Sequence, residues 1–265
     1  IEQGTYDGKL WSLGQFDSGL AIWANKSYLE EAGVRIPTSV DDAWTFEEFN
    51  EALDKLQELD QVEYALDVKM NYGQGEWYSY AFSPIVQAFG GDLIDRSDYE
   101  SADGVLNGQG AVEAMEWFQS LFEDGYVNPA PAGDDSFYGT KTAALAFVGH
   151  WQKQPHLDGL GEEDLVLVPI FKGPERHVTG TGSWNWGITS AADNPEAVWE
   201  FMECLLSPDE IRRMTRHPDF KGTVRDIGGA TANMWGLGCT REGPCERPSC
   251  LAPEICRWLD TNQKP

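Results

Sequence analysis

The stretch from Tyr6 to Val34, YDGKLWSLGQFDSGLAIWANKSYLEEAGV, restricts the fold more than any other part of this 265-residue chain. Asp7-Gly8 is a turn signal between short β-prone runs and predicts a hairpin. Leu20, Ile22 and Ala24 alternate with Ala21 and Trp23. Apolar residues on both phases of a period of two predict a strand buried on both faces. Ser27 can cap a helix carrying Tyr28 and Leu29, and Gly33 stands where a left-handed residue closes it. The order is hairpin, long strand, short helix.

Helices and strands then alternate. Residues 45–59 form the clearest helix, with Thr45 and Glu48 as a capping box and Phe46, Phe49, Leu53 and Leu56 on one face. Residues 110–124 form a second, with Val112, Met115, Phe118 and Phe122 as its stripe and Gly125 as its stop. Asn194 caps a third, Pro195 takes its first turn, and Val198, Phe201, Met202 and Leu205 line it. Ser207-Pro208-Asp209-Glu210 opens a fourth. Apolar runs of strand length lie between them at Ala143–Val148, Leu165–Ile170 and Trp186–Thr189. Such alternation implies an α/β fold.

Charge narrows the partners. Residues 1–205 hold 36 Asp/Glu against 10 Lys/Arg, and residues 206–265 hold 8 against 9. So negative a surface repels polyphosphate, and nucleic acid is excluded as a partner. The acids are spread over every predicted helix rather than gathered in one tail, which favours adaptation to high salt over an ordinary solvated surface. No run of about 18 apolar residues occurs, and Ile1 opens without a basic-then-apolar leader. The chain therefore reads as a mature segment or fragment whose export signal lies outside it.

Six short motifs, in order, resemble the extracellular solute-binding proteins of ABC importers, in particular the sugar-binding, maltose-binding-protein-like family. They are the strand and helix of Tyr6–Val34, the 45–59 helix, Phe89-Gly90-Gly91-Asp92, Gly125-Tyr126-Val127-Asn128-Pro129, Phe137–Trp151, and Leu167-Val168-Pro169 with Gly182–Ile188. The resemblance implies the periplasmic-binding-protein type II fold, with two α/β lobes joined by crossing strands and ligand in the cleft. It implies an extracellular, cell-surface or periplasmic monomer that hands a mono- or oligosaccharide to ABC permease transmembrane subunits. The family is longer at the front by roughly a hundred residues, so most of the first lobe is expected to be missing. On this reading residues 1–22 are a remnant of lobe 1 with the first crossing strand, 23–183 are lobe 2, and 184–214 are the return crossing with lobe 1 helices.

The same resemblance puts Trp77, Trp151 and Trp184 at positions that commonly face the cleft, and Asp17 where a polar cleft residue is usual. Indoles suit the apolar C–H face of a pyranose, and carboxylates and amides suit its edge. Glu76, Asn185 and His150 are weaker polar candidates beside those indoles. Core packing is the alternative for each Trp, and Trp44, Trp117 and Trp199, on or beside amphipathic helices, read as structural. No nucleophile elbow, phosphate loop or His-Glu-x-x-His is present, so no enzyme, cofactor or metal is expected. The rival reading is a carbohydrate-active hydrolase using Trp stacking and paired carboxylates.

Cys204 sits among Phe201, Met202, Leu205 and Leu206 and reads as a core residue. The other cysteines, Cys239, Cys245, Cys250 and Cys256, are spaced C-x5-C-x4-C-x5-C, which lacks the close pairs that structural zinc prefers. The resemblance stops near Met214. Residues 215–265, rich in Arg, Gly, Pro and Cys, are expected to be non-native or disordered.

Overall fold

The computed structural model describes residues 4–215. The expectation of a tail that does not pack, and the four clustered cysteines, fall outside the described residues.

Strand β1 (Thr5–Tyr6) pairs antiparallel with β2 (Lys9–Leu10), Thr5 opposite Leu10 and Tyr6 opposite Lys9. Asp7 and Gly8 both take positive φ, 49° and 67°, the backbone that a two-residue hairpin requires. Then comes β3 (Ser12–Asn25), which is flanked on both edges through its second half. Ile22 lies opposite Phe147 on one side and Val168 on the other, and Leu20, Ile22, Trp23 and Ala24 are buried. The predicted two-faced strand is present.

Asn25, not Ser27, caps α1 (Lys26–Glu31). It has extended φ/ψ at the strand end and its side chain accepts the Tyr28 N–H, while Ser27 Oγ is diverted to Asp164. Gly33 closes the turn at φ 63°. Helix α2 (Phe46–Gln57) carries the capping box in both directions, Thr45 with Glu48, and buries Phe49, Leu53 and Leu56.

Strand β4 (Tyr64–Asp67) leads into α3 (Glu76–Ala88) and α4 (Gln109–Glu123). The chain then returns as β5 (Ala143–Gly149), parallel to β4 with Leu66 opposite Leu145. The two helices are thus the crossover that parallel pairing needs. The buried ridge of α4 is Ala111, Ala114 and Leu121, whereas Val112 and Met115, expected on its inner face, are 46% and 41% exposed. The small residues win the inner face because the backbone comes close: a Cβ on Gly110 would meet the Phe89 carbonyl oxygen at 2.3 Å. Phe118 and Phe122 still pack against the core.

Helix α5 (Lys153–Leu160) precedes β6 (Leu165–Val168), and the five-stranded sheet runs β4-β5-β3-β6. Its fifth member, β7 (Thr181–Gly187), also pairs with β3. The last strand was expected at Trp186–Thr189. It starts earlier because pairing decides its register, with the Leu20 N–H already bonded to the Gly180 carbonyl. Helix α6 (Pro195–Leu205) is capped by the Asn194 side chain on the Ala197 N–H, and buries Met202 and Cys204. Helix α7 (Pro208–Thr215) follows.

The described residues divide into two compact units, one of residues 18–182 and one of residues 4–17 and 183–215. In the first, the sheet and α2 to α4 enclose a single hydrophobic core. Trp44 is 1% exposed there and donates to the Arg35 carbonyl; Trp117 packs on that core and donates to Asn50. Both are structural, as expected. Trp199, also expected to be structural, is 39% exposed on α6.

Candidate functional site

Between β4 and α3 the chain makes a tight double turn. Asp67 Oδ1 accepts the Lys69 N–H at 2.8 Å, an Asp side chain imitating a backbone turn. Lys69 takes left-handed φ/ψ of 57° and 47°, and a single 3-10 turn, Met70–Tyr72, follows. The Lys69 ammonium ends up with no exposed surface. It contacts Asp67 Oδ2 at 2.8 Å, Asp134 Oδ1 at 2.9 Å and the Asp134 carbonyl at 3.0 Å. Two hydrogen bonds and an ion pair to the Asp134 carboxylate therefore hold the ammonium. Burial, the largest single influence, opposes the charge, but Asp67 and Asp134 outweigh it and raise the lysine pKa above its usual value. Ser136 Oγ adds a hydrogen bond to Asp67 Oδ2 at 2.6 Å.

Above this buried cation lies an aromatic patch. β5 ends at Gly149 and the chain turns through His150–Gln152, a second 3-10 turn. A Cβ on Gly149 would fall 2.1 Å from the Trp151 ring. Only glycine there lets the indole fold back over the strand end. Trp151 is 40% exposed and donates from Nε1 to the Tyr72 hydroxyl at 3.2 Å. Gln152 Nε2 also donates to Tyr72, at 2.8 Å, and to Asp134 Oδ2.

Helix α3 supplies the rest. Trp77 and Tyr80 stand one turn apart, with ring centroids 6.0 Å from each other and 6.1 and 6.4 Å from Trp151. Trp77 is 7% exposed, its Nε1–H is taken by the Val68 carbonyl, and it meets Trp151 edge-on at 84°. It backs the patch, and Trp151 presents the open face. The Tyr80 hydroxyl donates to the Ser18 carbonyl and accepts from the Gly182 N–H, and burial pushes its pKa up to about 12.

The remaining candidates lie on several elements. His150 is half-buried, 5.8 Å from the Trp151 ring, and burial lowers its pKa. Glu76 is exposed at the first turn of α3. Trp184, 61% exposed, and Asn185, also exposed, lie on β7 in the other unit, where Trp186 donates to Gln15. Asp17 is on β3, and its side chain is outside the described residues. Thus Trp77, Trp151 and His150 come together, joined by Tyr72, Tyr80 and Gln152, which the sequence reading did not single out. The period of α3, which places Trp77 with Ala81 and Ile85, could have shown that Trp77 faces inward. Among the described residues no group of three or more His, Cys, Asp or Glu could hold a metal, and no helix is long and apolar enough to cross a membrane.

The aromatic patch thus lies at the end of β5 in this α/β unit. The family model of bacterial extracellular solute-binding proteins matches residues 2–211, and the chain belongs to that family. Solved structures agree on the periplasmic-binding-protein type II fold. The ABC substrate-binding protein Lmo0181 of Listeria monocytogenes, in complex with cycloalternan, is 20% identical with a TM-score of 0.63, over 83% of this chain and 54% of that one. Maltose-bound MalE3 of T. maritima is 19% identical with a TM-score of 0.63, over 89% and 62%. The cyclic α-maltosyl-1,6-maltose binding protein of Arthrobacter globiformis is 18% identical with a TM-score of 0.61, over 88% and 58%. The chain thus spans a little over half the length of these structures.

Curated relatives match only short stretches. A UPF0313 protein of Methanosarcina acetivorans is 45% identical over 58 residues, 21% of this chain and 8% of that protein. One of Vibrio vulnificus is 49% identical over 63 residues, 23% and 8%.

Proposed function

We propose that this chain is part of a receptor that captures a mono- or oligosaccharide for an ABC importer and passes it unchanged to a membrane permease. The observation that carries the reading is the open Trp151 face, backed edge-on by Trp77 and bordered by Tyr72, Tyr80 and His150. A flat indole with polar groups at its rim suits a sugar ring, apolar on its faces and hydroxylated at its edge. Membership of the solute-binding family supports it. So do similar structures that hold cycloalternan, maltose or D-mannitol. Trp184 and Asn185 are retained as ligand-binding candidates on the other unit.

Titrating the chain with maltose, D-mannitol and maltotetraose while following tryptophan fluorescence tests the reading. Trp151→Ala is expected to weaken whichever sugar binds by about 1–3 kcal/mol, the burial of one large ring. Trp117→Ala should lower the melting temperature and leave affinity intact. Equal affinity in both variants would remove Trp151 from the site. The hydrolase alternative is decided by chromatography of the sugar after long incubation, since a receptor returns it uncleaved.

High-salt adaptation is part of the same proposal. Ten cations cannot neutralise 36 carboxylates in residues 1–205, and like charges repel least when the Debye length falls to about 3 Å at 1 M salt. The melting temperature should rise steadily from 0.1 M toward 3 M KCl. A flat or falling profile would mark the acidity as an ordinary solvated surface.

A further inference from the structure

We propose that Tyr72 is the hydrogen-bond donor that reads the ligand at the Trp151 patch, its O–H left over for an acceptor oxygen of a bound sugar. The assignment rests on the sugar-receptor reading and sharpens it to one atom.

It follows from counting donors and acceptors. A phenol hydroxyl has one hydrogen to give and two lone pairs to receive. The Trp151 indole nitrogen can only donate, and it points at the Tyr72 oxygen from 3.2 Å. Gln152 has its amide nitrogen on the same oxygen at 2.8 Å. That amide cannot be turned around, because its other N–H faces the Asp134 carboxylate, which accepts and has nothing to give. Asp134 is in turn fixed by the buried Lys69 ammonium. Both lone pairs of Tyr72 are therefore occupied, and its hydrogen has no acceptor among the described residues. Burial, the largest influence, raises the Tyr72 pKa, so the hydroxyl keeps that hydrogen through the physiological range.

Tyr80 is the internal contrast. Its hydroxyl gives its hydrogen to the Ser18 carbonyl and receives the Gly182 N–H. It is satisfied by backbone and has no unmet donor. Of the two tyrosines bordering Trp151, one is closed and one is open, and the open one has a fixed polarity. A ligand lying on Trp151 must bring an acceptor oxygen to Tyr72. A group that only donates would leave the hydroxyl hydrogen unpaired at the contact, the costly arrangement.

The test is calorimetric titration of the full chain with maltose, D-mannitol, glycerophosphocholine and a series of monodeoxy maltoses. Tyr72→Phe, which keeps the ring, is expected to weaken maltose roughly threefold to tenfold, the usual worth of one neutral hydrogen bond. One monodeoxy maltose should lose the same factor against the unaltered chain and nothing further against Tyr72→Phe. Tyr78→Phe, on the neighbouring turn of α3 against Phe82, should change nothing. If maltose or mannitol binds and Tyr72→Phe leaves it unchanged, or its loss adds in full to that of every deoxy sugar, the donor role is overturned and the sugar reading survives. If glycerophosphocholine alone binds and Tyr72→Phe weakens it, the donor role stands with a phosphate oxygen as acceptor and the sugar reading falls. If it alone binds and the variant is indifferent, or nothing binds, both are overturned.

Discussion

Lys69→Met is expected to destabilise the residue 18–182 unit by about 3–5 kcal/mol, the range for removing one member of a buried ion pair. Methionine nearly matches the lysine stem in length, and its backbone can occupy φ 57° no worse than lysine does, so the loss isolates the charge. What remains is Asp67, with a side chain 8% exposed and, among the described residues, Ser136 and the residue 69 N–H to satisfy it. Urea unfolding should show a lower midpoint at unchanged slope. Asp67→Asn in the Lys69→Met background should recover part of the loss, because a neutral amide is far cheaper to bury than an unpaired carboxylate. A loss under 1 kcal/mol would mean that water reaches the ammonium. The lysine pKa is raised in the fold, so this contribution is fully present below its unfolded value of about 10.4 and is lost only as pH rises through the higher folded value.

That cation also shows where the sequence stopped being informative. The long strand β3, the capping box at Thr45 and the Asn194 cap were readable because each depends on residues within a few positions of one another. So was Trp151, through the Gly-x-Trp pattern that the glycine contact explains. The network beneath it joins residues 65 to 80 positions apart, Lys69 with Asp134 and Tyr72 with Gln152. Asp134 carries no signal among 44 acidic residues, and a lysine with no exposed surface defies the usual placement of its type. Only the Asp67-x-Lys69 spacing hints at it, as an Asp turn. The α4 stripe was misplaced for a related reason. Val112 and Met115 are the larger apolar groups, yet the approach of Phe89 to Gly110 turns the alanine ridge inward, and side-chain size alone does not show that.

Mild acid should unfold this protein through His156. The imidazole has no exposed surface, and neither ring nitrogen has a partner among the described residues. It packs against Trp23, Phe137 and Tyr138, with centroids 4.7–5.5 Å away. Burial, then the Lys69 charge, lower its pKa from 6.5 to about 3, and Asp134 offsets this only in part. A depressed histidine pKa means that the unfolded chain binds the proton first. Stability is therefore intact above pH 6.5 and falls as pH drops toward 3, by about 4–5 kcal/mol at 1.36 kcal/mol per unit. Carboxylates titrate in the lower half of that window, so the informative quantity is the difference between the chain and His156→Leu. Leucine fills similar space and carries no unpaired polar atom, so the variant should be no less stable at pH 7 and should gain on the parent with every unit below 6.5. Parallel stability curves from pH 7 to pH 4 would show that the ring is protonated in the fold, with an acceptor or water at its nitrogens. The same histidine lies one turn of α5 beyond Gln152, whose amide oxygen is likewise buried without a partner. Acid should therefore disturb the support of the Trp151 patch before global unfolding, seen as loss of sugar affinity at a pH where the far-ultraviolet circular dichroism is still native.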